Sequence, residues 1–249
     1  MKMKHVIGAL AICMVAATAA QASTWVQYVS VKPGETVTIP GKTVWAGVYN
    51  LHVVWDGGTT APTSGTDTDS FCVDVTDSST TTWQIYNVVE LENAPDPSGK
   101  NMGTAKANDI RQLFALAFLP AAVWHEASDS KAAAVQAAVW EIINEKAGTA
   151  YSLTNTPGET WWTTAGNEGT INTANGWLTT INTDNAVDGG NDLPLYPDLM
   201  VLTNETYQDF TIVRKGIPPV PEPLTMASAF FAIGGLGAYI RRRTGRAAA

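Results

Sequence analysis

The chain has 249 residues, with 15 lysines and arginines against 23 aspartates and glutamates. Six of the basic residues lie in the two ends, so residues 23–223 hold nine basic and 23 acidic side chains, a net charge of −14. A body this acidic excludes electrostatic binding to nucleic acid or anionic lipid, and at about 200 residues it can bury one sizeable core or two small ones.

Residues 1–22 read as a secretory signal. Lys2 and Lys4 supply a positive start, Val6 to Ala20 an apolar stretch, and Ala20-Gln21-Ala22 a small-x-small cleavage site that places the mature start at Ser23. The alternative is an uncleaved anchor, which the short apolar stretch disfavours. Removal of the leader takes Cys13 with it and leaves Cys72 as the lone cysteine. No intramolecular disulfide is then available, so the thiol points to intermolecular pairing, reactivity or another covalent use.

The first third of the body reads as β. Trp25 to Val31 has alternating and β-branched residues, Pro33-Gly34 a turn signal, and Thr36 to Ile39 more of the pattern. Pro40-Gly41 predicts a second turn before a strand from Val44 to Val54, closed by Asp56-Gly57-Gly58. Thr59 to Ser70 is polar and reads as a loop. Phe71 to Val75 and Trp83 to Leu91 read as strands.

The middle reads as α. One helix begins near Asn108 or Asp109 and runs to about Leu119, where Pro120 stops it. A second begins at Ser128, Asp129 or Ser130, fills Lys131 to Lys146 and takes Gly148 as its C-cap. Ala132, Val135, Val139, Ile142 and Ile143 form its apolar stripe, with Glu141, Asn144 and Glu145 on the wet side. Tyr151 to Gly169 reads as a loop, and Ile171, Ala174, Leu178 and Ile181 keep helical spacing for a third helix. Asp184 to Asp192 is a Gly/Asn/Asp loop, and Leu199 to Leu202 and Tyr207 to Val213 read as closing strands. The fold class expected is α+β, a β-rich sandwich-like or barrel-like portion with a small helical layer.

Gln136 is the unusual residue of the second helix. It projects from the apolar stripe, and a buried carboxamide needs partners for two donors and an acceptor. It can bond a loop backbone as a core glutamine, lie where the helix is only partly covered, or react with a thiolate, lose ammonia and become a thioester. Cys72 is the available thiol. Its ordinary pKa of about 8.5 leaves it needing activation from its surroundings. Strand alternation sets Cys72 and Asp74 on one side, and Asp74 is placed to accept a proton or to bind neighbouring backbone.

Phe71-Cys72-Val73-Asp74 followed by Val135-Gln136-Ala137-Ala138-Val139-Trp140 resembles the thioester domains of bacterial surface proteins, whose patterns are aromatic-Cys-aliphatic-Asp and Thr-Gln-x-Ala-(Ile/Val)-Trp. Val135 stands where that pattern has Thr. The resemblance spans about Phe71 to Glu145. It implies that Cys72 and Gln136 join in an internal thioester that captures an amine or hydroxyl on a target surface, protein or polysaccharide. Asp74 and Trp140 would support the bond, with Trp140 packing over it. The event is single-use binding, so the expectation is not an enzyme, with no cofactor and no metal.

The C-terminal end carries a second address. Residues 215–220 form a Pro-rich linker, and Pro221-Glu222-Pro223 opens a segment to residue 246. Residues 224–240 are an uncharged run at the lower length limit for a membrane span, followed by Arg241, Arg242, Arg243 and Arg246. The arginines should stay cytoplasmic and leave the body outside. This order resembles the PEP-CTERM sorting tail of Gram-negative bacteria, which implies an exosortase-type sorting enzyme as partner, transient residence in the inner membrane, and delivery to the cell surface or extracellular matrix. An ordinary C-terminal anchor would give the same topology. On this reading the thioester-like domain fills residues 23–214.

Other sites are weaker. His52 and His125 are the histidines available to a cysteine hydrolase with Cys72 as nucleophile. One cysteine and two scattered histidines match no zinc spacing. Asp184, Asp188 and Asp192 do not have the spacing of an EF-hand loop. Trp161, Trp162 and Trp177 suit packing more than sugar stacking.

Overall fold

A computed structural model describes residues 23–55, 58–120, 123–146, 148–154, 164–165, 168–188 and 192–213. The leader, Trp161, Trp162, the linker, the Pro-Glu-Pro segment with its arginines, and the 224–240 run lie outside the described residues. Among those described, no helix is long and apolar enough to cross a membrane.

The fold is α+β. Six antiparallel strands are joined edge to edge: β1 (Ser23–Ile39), β2 (Lys42–Val54), β3 (Thr66–Cys72), β4 (Gln84–Glu90), β6 (Leu199–Thr203) and β7 (Phe210–Val213). Their spatial order is β2-β3-β7-β6-β4-β1, and β1 pairs with β2 again. β1 closes this ring because it serves two neighbours: Trp25 lies opposite both Val54 of β2 and Ile85 of β4. The short β5 (Thr164–Ala165) adds to the far end of β1. Closure leaves few free edges, a standard way for sheets to avoid edge pairing.

Several expected boundaries shift. Pro33-Gly34 is not a turn; β1 runs through it, with a register irregularity between Val31 and Gly34. Gly34 faces Gly47 there, and a Cβ on Gly47 would sit 2.3 Å from the Pro33 carbonyl oxygen, so the two backbones touch where side chains would not fit. Pro40-Gly41 is the real hairpin turn, with Gly41 at φ +82°. The third strand lies upstream of the expected Phe71–Val75 and ends at Cys72. Thr66 to Asp69 look like loop residues because they are polar, but their backbones pair with β2 from Val53 to Asn50.

The helical layer contains α1 (Thr104–Phe118), α2 (Asp129–Asn144) and α3 (Glu168–Asp188). α1 starts a turn earlier than Asn108. In α2 the Ser128 side chain caps the Lys131 N–H, and the helix ends at Glu145, three residues before Gly148. α3 continues through Asp184, so the residues expected as the start of a loop are helical.

α2 is the central element. It packs against β1, β2, α1 and α3, and every residue from Ala132 to Ile143 is buried. A helix covered all round has no wet face. Glu141 and Glu145, expected in solvent, are 0% and 1% exposed. The Glu141 carboxylate accepts the Ser152 N–H at 2.8 Å. Lys106 reaches across from α1 to the Ile143 and Glu145 carbonyls and closes the helix end.

Two apolar clusters meet at α2. Its stripe of Ala132, Val135, Val139, Ile142 and Ile143 joins the helical cluster with Phe114 and Phe118. Ala133 and Trp140 belong instead to the cluster inside the ring of strands, with Leu51, Cys72 and Phe210. Phe71 joins the helical cluster and Cys72 the strand cluster, the alternation expected of adjacent strand residues.

Candidate functional site

Cys72 is the last residue of β3. Pairing of β2 with β3 ends at Tyr49 and Ser70, two positions before it. On the β7 side, Cys72 faces Phe210. Beyond Ser70, α2 takes the place that β2 has left. Gln136 Oε1 accepts the Cys72 N–H at 2.8 Å, and Gln136 Nε2 donates to the Cys72 carbonyl at 2.6 Å. The side-chain amide thus completes a strand edge, as a neighbouring peptide would. Thr211 does the same for Phe71 with one hydroxyl, which accepts from its N–H and donates to its carbonyl.

Cys72 and Gln136 are both 0% exposed. Burial pushes the thiol well above its ordinary range; the Trp140 indole beside it acts the other way, and the Asp74 and Asp209 charges push it further up. The neutral thiol donates to the Asp74 main-chain oxygen. The same oxygen accepts from Gln208 Nε2 at 2.9 Å.

The Asp74 carboxylate does not share a side with the sulfur, since the strand has ended. It accepts from the Thr76 N–H and hydroxyl, both at 2.7 Å, and ties the turn that follows Cys72. Of the two uses expected of it, binding of neighbouring backbone is the one present. Its main chain reaches the thiol; its carboxylate does not.

Trp140 follows Gln136 by one turn and is 1% exposed. With Tyr49 and Gln208 it floors a concavity of about 210 Å³, whose rim includes Lys42, Trp45 and Asp77. Tyr49, Gln208 and Asp209 are site residues that sequence reading missed. They come from β2 and from the approach to β7 and carry no motif; only the fold brings them to Cys72. Asp209 is 3% exposed and accepts the Asn204 N–H at 2.7 Å. Burial, with the Asp74 and Asp77 charges, pushes its carboxyl up to about 7.

The histidines are placed elsewhere. His52 Nε2 lies 3.0 Å from Asp67, and His125 Nδ1 2.7 Å from Asp69, so both engage outward-facing carboxylates of β3. Neither makes a hydrogen bond to the thiol. Among the described residues no group of three or more His, Cys, Asp or Glu side chains could hold a metal ion. Asp184 accepts from Gln112, and Trp177 packs against the helical cluster.

The arrangement holds the Gln136 carboxamide on the main chain of Cys72, with both residues fully buried. Comparisons with protein-family models, with curated proteins and with solved structures find no match for this chain.

Proposed function

We propose that this is an exported bacterial surface or matrix protein that attaches covalently through a Cys72–Gln136 thioester. The observation that carries the reading is the docking of the Gln136 carboxamide on the Cys72 backbone from both ends, in a site closed to water. The carboxamide is already held on the main chain of the residue that carries the thiol, the kind of positioning that removes much of a reaction's entropic barrier. Cys72 Sγ adds to Gln136 Cδ, the C–N bond breaks, and ammonia leaves with the thiol proton. An amine or hydroxyl on a target then adds to the same carbon. Cys72 leaves, and an amide or ester to Gln136 remains. Burial protects the bond from hydrolysis until the partner arrives. Asp74 ties the turn beside the sulfur, and Trp140 with Tyr49 and Gln208 walls it.

The sorting part of the proposal rests on the sequence of the two ends. A leader through residue 22 and the tail of Pro221, Glu222, Pro223 and Arg241 to Arg243 fit export across the inner membrane of a Gram-negative bacterium, release or retention by an exosortase-type enzyme, and a role in adhesion at the cell surface or in the extracellular matrix.

A second reading has its own observation. The two hydrogen bonds that hold Gln136 also give its amide nitrogen and its oxygen a partner each, as in a core amide, so a non-covalent matrix protein with an unreacted pair would keep the same fold. Intact mass separates the readings. The thioester predicts a mature protein lighter by one ammonia, with the deficit absent in Cys72→Ala and Gln136→Ala. A full mass with a titratable thiol would sink it.

A further inference from the structure

Trp140 stands one helical turn beyond Gln136 and faces the strand cluster that holds Cys72. A buried indole N–H normally finds an acceptor. This one has no partner of ordinary hydrogen-bond geometry; its ring packs in the same buried strand cluster as Cys72, where it favours a charged sulfur. A neutral thiol is a weak acceptor, so the resting contact is loose. A thiolate is an anion, and hydrogen bonds to ions are about twice as strong as neutral ones. The donor is therefore held where it engages fully only once the sulfur is charged. Such an interaction lowers a barrier more than it stabilises the resting site.

The other polar groups around the sulfur do not supply this. Asp74 and Asp209 oppose a negative charge there. The Tyr49 and Tyr86 hydroxyls donate elsewhere, to the Trp45 and Gln208 carbonyls. Gln208 donates to the Asp74 carbonyl. Trp140 is left as the buried donor of that cluster with no acceptor of its own.

We infer that the Trp140 indole N–H is the catalytic donor to the Cys72 thiolate, a role that rests on the thioester reading for its chemical use. In capture, the nucleophile adds to Gln136 Cδ, the C–S bond breaks, and its electron pair passes to Cys72 Sγ under the indole N–H. The proton shed by the incoming amine or hydroxyl ends on that sulfur. In thioester formation the same N–H steadies the attacking thiolate, and ammonia carries away the thiol proton.

The test uses the mature chain, which lacks Cys13, treated with methylamine, which leaves Cys72 free whether or not a thioester had formed. The pH midpoint of its alkylation by iodoacetamide is compared between wild type and Trp140→Phe. The midpoint should rise by about one pH unit without the N–H. Capture of methylamine by the untreated chain should slow about tenfold to a hundredfold, the loss of a hydrogen bond to a charged group. If Trp140→Phe does not fold, β-(3-benzothienyl)alanine at position 140 keeps the bicyclic shape and replaces the N–H with sulfur. An unchanged midpoint in the folded variant overturns the donor role. A wild-type mass without the ammonia deficit, beside a raised midpoint, sinks the thioester and upholds the donor.

Discussion

Along β3, Asp67 and Asp69 point outward and hold His52 and His125, while Phe71 and Cys72, on the same strand, are fully buried. The outer half has more titratable groups, and by density alone it would be the more reactive. Its pairs face water, where an ion pair contributes little. The inner half has a thiol, an amide and an indole, all neutral and all shielded. Burial, rather than the number of ionisable groups, marks the end of the strand where a reactive bond could survive.

The contrast can be broken most forcefully at Phe71, whose ring meets Phe114, Phe118 and Trp124. Phe71→Ala should cost about 3–5 kcal/mol in denaturant unfolding, against less than about 0.5 kcal/mol for Asp67→Ala. Equal losses would erase the distinction. Asp209→Asn tests the dry end through pH. The folded carboxyl stays protonated to about pH 7, so the native state binds more protons than the unfolded chain between about pH 4 and 7. Stability should fall across that window by up to about 4 kcal/mol. The Asn variant should lose that slope and be the more stable protein at pH 8.

Gln136→Ala and Cys72→Ala sharpen the picture at the site. Gln136→Ala strips partners from a buried N–H and carbonyl and should cost about 2–4 kcal/mol. Cys72→Ala leaves the main chain that Gln136 binds, and should cost only about 1 kcal/mol. Equal costs would mean that the sulfur itself holds the two elements together. The smallest effect belongs to His125. The Asp69 carboxylate raises the imidazole above its ordinary range, so the pair stabilises the fold below about pH 6.5 and fades as pH rises through the folded value. His125→Ala should remove a slight slope there, read by thermal unfolding across pH.

Much of the site was legible because its chemistry is local. Gln136 sits in a clear helical period and lies on α2 as expected; Cys72 sits on a strand, though at its end rather than near its start. What one helix cannot reveal is what covers its far side. Glu141 and Glu145 read as solvent residues because periodicity sees one face; the segment around Ser152 and Lys106 from α1 bury the other. Thr66 to Asp69 read as loop because their polar side chains hide a backbone paired with β2. Tyr49, Gln208 and Asp209 had no local signal, since ring closure alone brings β2 and β7 to the thiol.

The ladder between β7 and β3 is only two residue pairs long, Phe71 with Thr211 and Cys72 with Phe210. Tension drawn through the chain beyond Val213 enters β7 first and divides between β6, which holds β7 through four pairs, and β3 across those two. From there it passes to α2 through the carboxamide that Cys72 holds. The mechanical route from the C-terminal side to Gln136 is thus very short. Pulling would load the strand end beside the sulfur through the shorter of the two ladders that hold β7.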